Sequence, residues 1–270
     1  MKSKTAKLKN NKNKSGSGNS SFFETWKFFV ICIIIAIAFR SFAFSPFHIP
    51  SGSMKSTLLI GDFIFVSKGS YGYSKYSIPL GFNFNYFDGR IMAEKPERGE
   101  IIVFRPPTMP HIDFIKRLIG LPGDKIRMKN GILFINGKEV PKIQVDDFVE
   151  ELANGSTKRT KRYLETLPNG LIHYTLDADP TGKYDNTREF TVPEGHYFFM
   201  GDNRDNSTDS RSNELGFVPF ENLIGRAEVI VVSTKTKIWK FWEWLSTIRS
   251  ERFWTDPQLS DEQTKQIKLK

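Results

Sequence analysis

After Pro50 the apolar residues come in short runs with turn residues between them: Phe63–Val66, Ile101–Phe104, Ile112–Ile119, Ile132–Ile135, Tyr197–Met200 and Val229–Val232. Runs of this length suit strands and are too short for amphipathic helices. Asn130-Gly131 and Asn136-Gly137 each divide two such segments. Both residue types tolerate positive φ, so each pair predicts a tight hairpin turn. Strand-length and helix-length patterns do not alternate. The expected fold is mainly β, an antiparallel body in two parts, rather than a doubly wound sheet. With 270 residues and 24 Phe, a largely disordered chain is excluded.

The N-terminal part is different. Residues 1–25 open with a Lys, Asn, Ser and Gly tract and are expected to be a disordered basic tail. From Trp26 to Phe47 the chain is apolar except for Lys27, Arg40 and a few hydroxyls. As a helix this span would be about 33 Å long, enough to cross a bilayer. A cleaved signal peptide and a buried core helix share parts of this pattern. The favoured reading is an uncleaved transmembrane anchor with its lysine-rich flank in the cytoplasm.

The charge is +9, yet nine of the 39 basic residues lie in residues 1–20 and 265–270, where there is no acid. The rest of the chain is formally neutral, so no phosphate-binding face and no nucleic-acid partner are expected. One cysteine, Cys32, excludes an intrachain disulfide, and four scattered histidines give no metal-ligand spacing. His48, His111, His173 and His196 read as ordinary histidines. No cofactor or metal is expected.

Within the β region, residues 69–97 read as a small excursion and residues 140–190 as an inserted β subdomain. That leaves 48–139 and 191–235 for the main domain. The segment 236–270 is Trp-rich and ends in a basic tail. On a helix, Ile238, Phe241, Trp242, Leu245 and Ile248 would share one face, as in an interfacial helix or one docked on the β body.

Three stretches carry possible chemistry. Ile49-Pro50-Ser51-Gly52-Ser53-Met54 sets two hydroxyls on an irregular backbone, although most Ser-Gly-Ser turns are only loops. In a strand over 112–119, Lys116 lies between Phe114 and Leu118 on one face, where burial would lower its pKa and make it a base. An edge strand would instead let it snorkel to water. Gly201 through Arg211 packs acids, arginines, amides and hydroxyls behind an apolar strand. It reads as a rigid polar network, a plain surface loop or, with Asp202, Asp205 and Asp209, a calcium loop, against which Arg204 and Arg211 argue.

Together, Pro50 to Met54 with Thr57-Leu58 and Gly61-Asp62, Lys116-Arg117 with Gly120 to Asp124, and Gly201 to Arg211 resemble the boxes of bacterial type I signal peptidases. The resemblance covers most of residues 46–232. It implies a membrane-bound serine endopeptidase that removes signal peptides from exported preproteins after small residues. Ser53 would be the nucleophile and Lys116 the general base. Ser51 would donate to the oxyanion, Ser207 would orient the lysine, and Asp209 with Arg211 would form a supporting ion pair. The implied partners are signal-peptide-bearing preproteins and a phospholipid membrane. The implied location is the bacterial inner membrane, single-pass, with the catalytic body on the extracytoplasmic side. Lys55-Ser56 departs from the family pattern, where a hydrophobic residue and a proline are common. Another Ser-Lys protease, or a non-catalytic membrane-anchored β module that binds exported chains, are the alternative readings.

Overall fold

The computed structural model describes residues 18–42, 44–76, 89–151, 155–179, 181–236 and 247–257. The tail before residue 18, the middle of the 69–97 excursion and residues 237–246, which carry most of the expected C-terminal helix face, lie outside the described residues.

The chain divides into two units, residues 1–40 and 41–270. The first contains most of helix α1 (Gly18–Phe42). Side chains of this helix are described from Phe22 to Ile35, and its large apolar residues there are mostly exposed. Among the described residues no helix is long and apolar enough to cross a membrane. The anchor was expected to reach Phe47, but helix ends at Phe42 and residues 44–48 form a strand. Pro46 and the alternating pattern around it explain the change, because proline lacks the amide a helix needs and is tolerated in an edge strand.

The second unit is antiparallel β throughout. Its strands are β1 (Phe44–His48), β2 (Asp62–Ser67), β3 (Ile101–Phe104), β4 (Phe114–Gly120), β5 (Lys125–Lys129), β6 (Ile132–Ile135) and β7 (Lys138–Glu139). There follow β8 (Lys142–Glu151), β9 (Thr157–Thr166), β10 (Ile172–Leu176), β11 (Phe190–Thr191), β12 (His196–Met200), β13 (Val218–Pro219) and β14 (Leu223–Ser233). A seven-stranded sheet has the order β1-β2-β14-β3-β4-β12-β13. A four-stranded sheet runs β11-β5-β6-β7, and a three-stranded one β10-β9-β8. The chain leaves the large sheet after Gly120, and β5, β6 and β7 pair with β11 in the four-stranded sheet. Nothing in the local pattern of β5 and β6 tells which sheet they join.

The large sheet is buried on both faces, and the two-residue period divides its side chains between separate cores. Ile101 and Val103 join Ile49, Met54, Leu58 and Ile64. Ile102 and Phe104 face the other way, with Leu118, Phe199 and Leu223. A third core holds Ile126, Leu133 and Ile135 against Ile119, Phe198 and Met200, fastening the small sheet to the large one. Both Asn-Gly pairs are hairpin turns with positive φ, 50° and 71° at 130–131 and 53° and 76° at 136–137. Of the C-terminal segment, Ile230 N–H donates to Thr255 O and Trp254 N–H to Ile230 O, so residues 254–255 pair with β14.

Candidate active site

The Ser53 turn is built by burial on one side and backbone capture on the other. Ile49, Met54 and Leu58 sink into the core, at 2%, 1% and 0% exposure. Lys55 N–H donates to Gly52 O, closing a four-residue turn with Ser53 inside it. Two carbonyls of this turn also accept from one residue of the polar loop. Asn203 Nδ2 donates to Gly52 O at 2.9 Å and Asn203 N–H to Ser53 O at 3.0 Å.

Lys116 comes from the middle of β4, opposite Ile102 of β3. Its side chain is 4% exposed, so it does not snorkel. Nζ donates to Ser53 Oγ at 2.7 Å and to Ile115 O at 3.0 Å. The Phe114 ring lies 5.2 Å from the amine. Burial lowers the Lys116 pKa to about 8, against the weaker pull of Asp209 and Asp202 in the other direction. A serine hydroxyl, 8% exposed, thus faces an amine able to shed its proton near neutral pH. Both line a cleft of about 340 Å³, whose walls include Phe47, Ile49, Val103, Ile112 and Ile115.

Ser51 is exposed at the same cleft, its Oγ 3.4 Å from Ser53 Oγ. Ser207 is buried. It lies near enough to Asp209 to favour that carboxylate's charged form. Gly201 stands where these parts meet: a Cβ there would be 2.2 Å from Ser207 Oγ and 2.6 Å from Ser53 O. Asp209 receives Arg211 Nε at 2.9 Å and Nη2 at 2.8 Å, and also Gly201 N–H at 3.0 Å. The structure thus brings Ser51, Ser53, Lys116, Ser207, Asp209 and Arg211 into one neighbourhood. His48 lines the cleft too, its ring tilted against Phe63 at 5.0 Å between centroids.

Other residues behind the site had no role assigned from sequence. Arg117 clasps Asp202 through Nε at 2.9 Å and Nη2 at 2.8 Å, and Thr57 Oγ1 donates to the same carboxylate at 2.5 Å. Arg204 makes a two-pronged pair with Glu165 of β9 at 2.8 and 2.5 Å. Burial alone would raise the pKa of Asp202, Asp209 and Glu165, but the facing guanidinium outweighs it and holds each below the usual carboxylate range. His173 sits between the two pairs, 3.8 Å from Glu165 and from Asp202. Burial and the nearby arginines push its pKa down to about 4, so it stays neutral. Arg117, Asp202 and Arg204 were visible as members of the polar strings. Glu165 lies in the inserted part and carried no signal.

Asp202 and Asp209 each face an arginine, and neither converges on Asp205 as a calcium loop requires. Asp205 instead lies near Asp177 and Asp185, with oxygens of the three within 4.8 Å of one another. Lys142 Nζ donates to Asp177, and Asp205 caps the amides of Ala178 and Asp179.

The chain is similar to known proteins over most of its length. A family model described as "Signal peptidase, peptidase S26" matches residues 22–232. The signal peptidase I of Rickettsia canadensis (strain McKiel) is 42% identical over 261 residues, covering 90% of this chain and 97% of that protein. That of Rickettsia prowazekii (strain Madrid E) is 43% identical over 251 residues, covering 87% and 92%. A solved signal peptidase I from Enterococcus faecalis V583 matches 49% of this chain and 97% of its own at 30% identity, with a TM-score of 0.29. On the extent of the family match and of the two long alignments, the chain belongs to the signal peptidase family, peptidase S26.

Proposed function

We propose that this chain is a serine endopeptidase that removes N-terminal signal peptides from exported preproteins, with Ser53 as nucleophile and Lys116 as general base. The observation that carries the residue roles is the 2.7 Å contact between Ser53 Oγ and an amine shielded from water. With a pKa of about 8, roughly a tenth of Lys116 is neutral at pH 7, against about one part in 3,000 for an exposed lysine.

Neutral Lys116 takes the Ser53 proton as Oγ adds to the scissile carbonyl carbon. The negative oxygen that forms is met by the Ser53 N–H and the Ser51 hydroxyl, both residues lining the cleft. The Lys116 ammonium then returns its proton to the departing amine. In the second half Lys116 deprotonates a water, which releases the acyl group from Ser53. Ser207 steers the amine in this reading, from a buried position next to Gly201 and beside Asp209. The Asp209–Arg211 pair stiffens the wall behind it. Apolar walls close to Ser53 fit a substrate with small side chains before the scissile bond.

The uncharged run of α1 serves as the membrane anchor in this reading, with its lysine-rich flank in the cytoplasm and the β unit on the extracytoplasmic side. Residues 48–139 and 191–235 would form the catalytic domain and 140–190 an insertion. The test is cleavage of a preprotein in detergent by wild type, Ser53→Ala and Lys116→Ala. Each variant should lose about 10³-fold or more in rate, and full activity in either would overturn the proposal.

A further inference from the structure

The Ser53 turn is tethered by a side chain that the chemistry above does not use. Lys55 closes the turn with its amide and lays its stem across Gly52, where an added Cβ would lie 3.0 Å from Lys55 Cε. Its ammonium then leaves the turn and meets both oxygens of Glu150, at 2.5 and 2.7 Å. Glu150 is near the end of β8, in the three-stranded sheet, 95 residues along the chain. The two side chains are 18% and 33% exposed, so the pair is shielded well enough to hold a geometry. The next residue of β8, Glu151, makes only an exposed pair with Lys235 at 3.8 Å, so Lys55–Glu150 is the shielded one of the two.

The backbone after Lys55 shows why such a tether is needed. Ser56 has φ +85°, which a side chain other than glycine's adopts only at a cost of about 1–3 kcal/mol and only where the surroundings enforce it. That φ also excludes a proline, so no ring can stiffen the turn here. Side chains do it instead. Lys55 pulls toward Glu150 on one flank, and Thr57 Oγ1 toward Asp202 at 2.5 Å on the other. Ser56 Oγ donates to Tyr174 O at 3.3 Å between them.

We infer that Lys55 and Glu150 are positioning residues for acylation, and that the β8–β9 hairpin is thereby part of the catalytic apparatus. The inference rests on the proposed function. Neither residue touches the reacting atoms. The pair fixes the turn so that Ser53 Oγ points at Lys116 Nζ, and a misplacement of about 1 Å costs about 10²-fold in rate.

The experiment uses the full chain in detergent. It measures acylation of Ser53 by a penem and cleavage of a preprotein, with Ser53→Ala as blank. Variants are Lys55→Met, which keeps the stem, Glu150→Gln, their combination, and Lys55→Arg. Acylation rate and kcat should fall by about 5- to 30-fold in either single variant and no further in the combination. KM should stay within about twofold, and Lys55→Arg should recover most of the rate. An active wild type whose rate is unchanged in Lys55→Met and Glu150→Gln overturns the inference and leaves the proposed function standing. A loss confined to KM, or one that Lys55→Arg does not repair, also overturns it. A wild type that neither acylates nor cleaves overturns both.

Discussion

Replacing Lys116 by Met removes a charge that folding must bury, and the structure says how the gain depends on pH. Burial takes the pKa from 10.5 to about 8. Between those values the unfolded chain binds a proton that the folded chain has shed, so stability rises with pH across the window. Below pH 8 the folded protein carries the ammonium at a cost of about 3.4 kcal/mol, taking about 1.36 kcal/mol per unit. Nearly all of that remains at pH 7, and about 0.8 kcal/mol at pH 10. Methionine keeps most of the volume beside Phe114. The lost hydrogen bonds to Ser53 Oγ and Ile115 O cost roughly 1–2 kcal/mol at either pH. The variant should therefore be more stable than wild type by about 2 kcal/mol at pH 7 and less stable by about 0.7 kcal/mol at pH 10. The change in that difference, about 2.5 kcal/mol, is the sharper quantity, because contacts that do not titrate cancel from it. Urea denaturation of the full chain in detergent, followed by tryptophan fluorescence at both pH values, measures it. Parallel pH dependence in the two proteins would refute a desolvated ammonium at this position.

The same group sets the rate. Acylation of wild type by a penem should rise with pH along a single limb with its midpoint at about 8, the value burial gives Lys116; a rate that is flat from about pH 6 to 9 contradicts this. Glu165→Gln strips the charge from a partner of the fully buried Arg204 and should cost about 3–5 kcal/mol in the same denaturation assay. A cost below about 1 kcal/mol would mean that Arg204 finds another acid. Gly201→Ala drives a methyl into Ser207 Oγ and Ser53 O, so it should abolish acylation while β12, ahead of it, still folds. Acylation at more than about half the wild-type rate would show that the loop yields freely.

What the sequence revealed was what is local or what recurs as a known string. All six apolar runs lie at least in part in strands, and both Asn-Gly pairs turn as their φ tolerance requires. Ser53 and Lys116 were readable because each sits in a recognisable string, although 63 residues separate them. Alternation did not reveal the shielding of Lys116. β4 is buried on both faces from Lys116 onward, so a charged residue there looks the same in sequence as one on an edge strand. The pairs Arg204–Glu165 and Lys55–Glu150 were invisible for another reason. They join the catalytic strings to the inserted strands, and a charge in a strand does not name its partner across a sheet. Ile112, expected in the strand, is 54% exposed and lies ahead of it, its N–H closing a turn on Met109 O.

The Arg204–Glu165 clasp also orders events in time. The nucleophile and its base both leave the ribosome within the first 116 residues, but the loop that grips the Ser53 turn through Asn203 comes much later. Until then the turn lacks the two hydrogen bonds that Asn203 gives to Gly52 O and Ser53 O. The arrangement of Ser53 and Lys116 is thus complete only when distant strands have met.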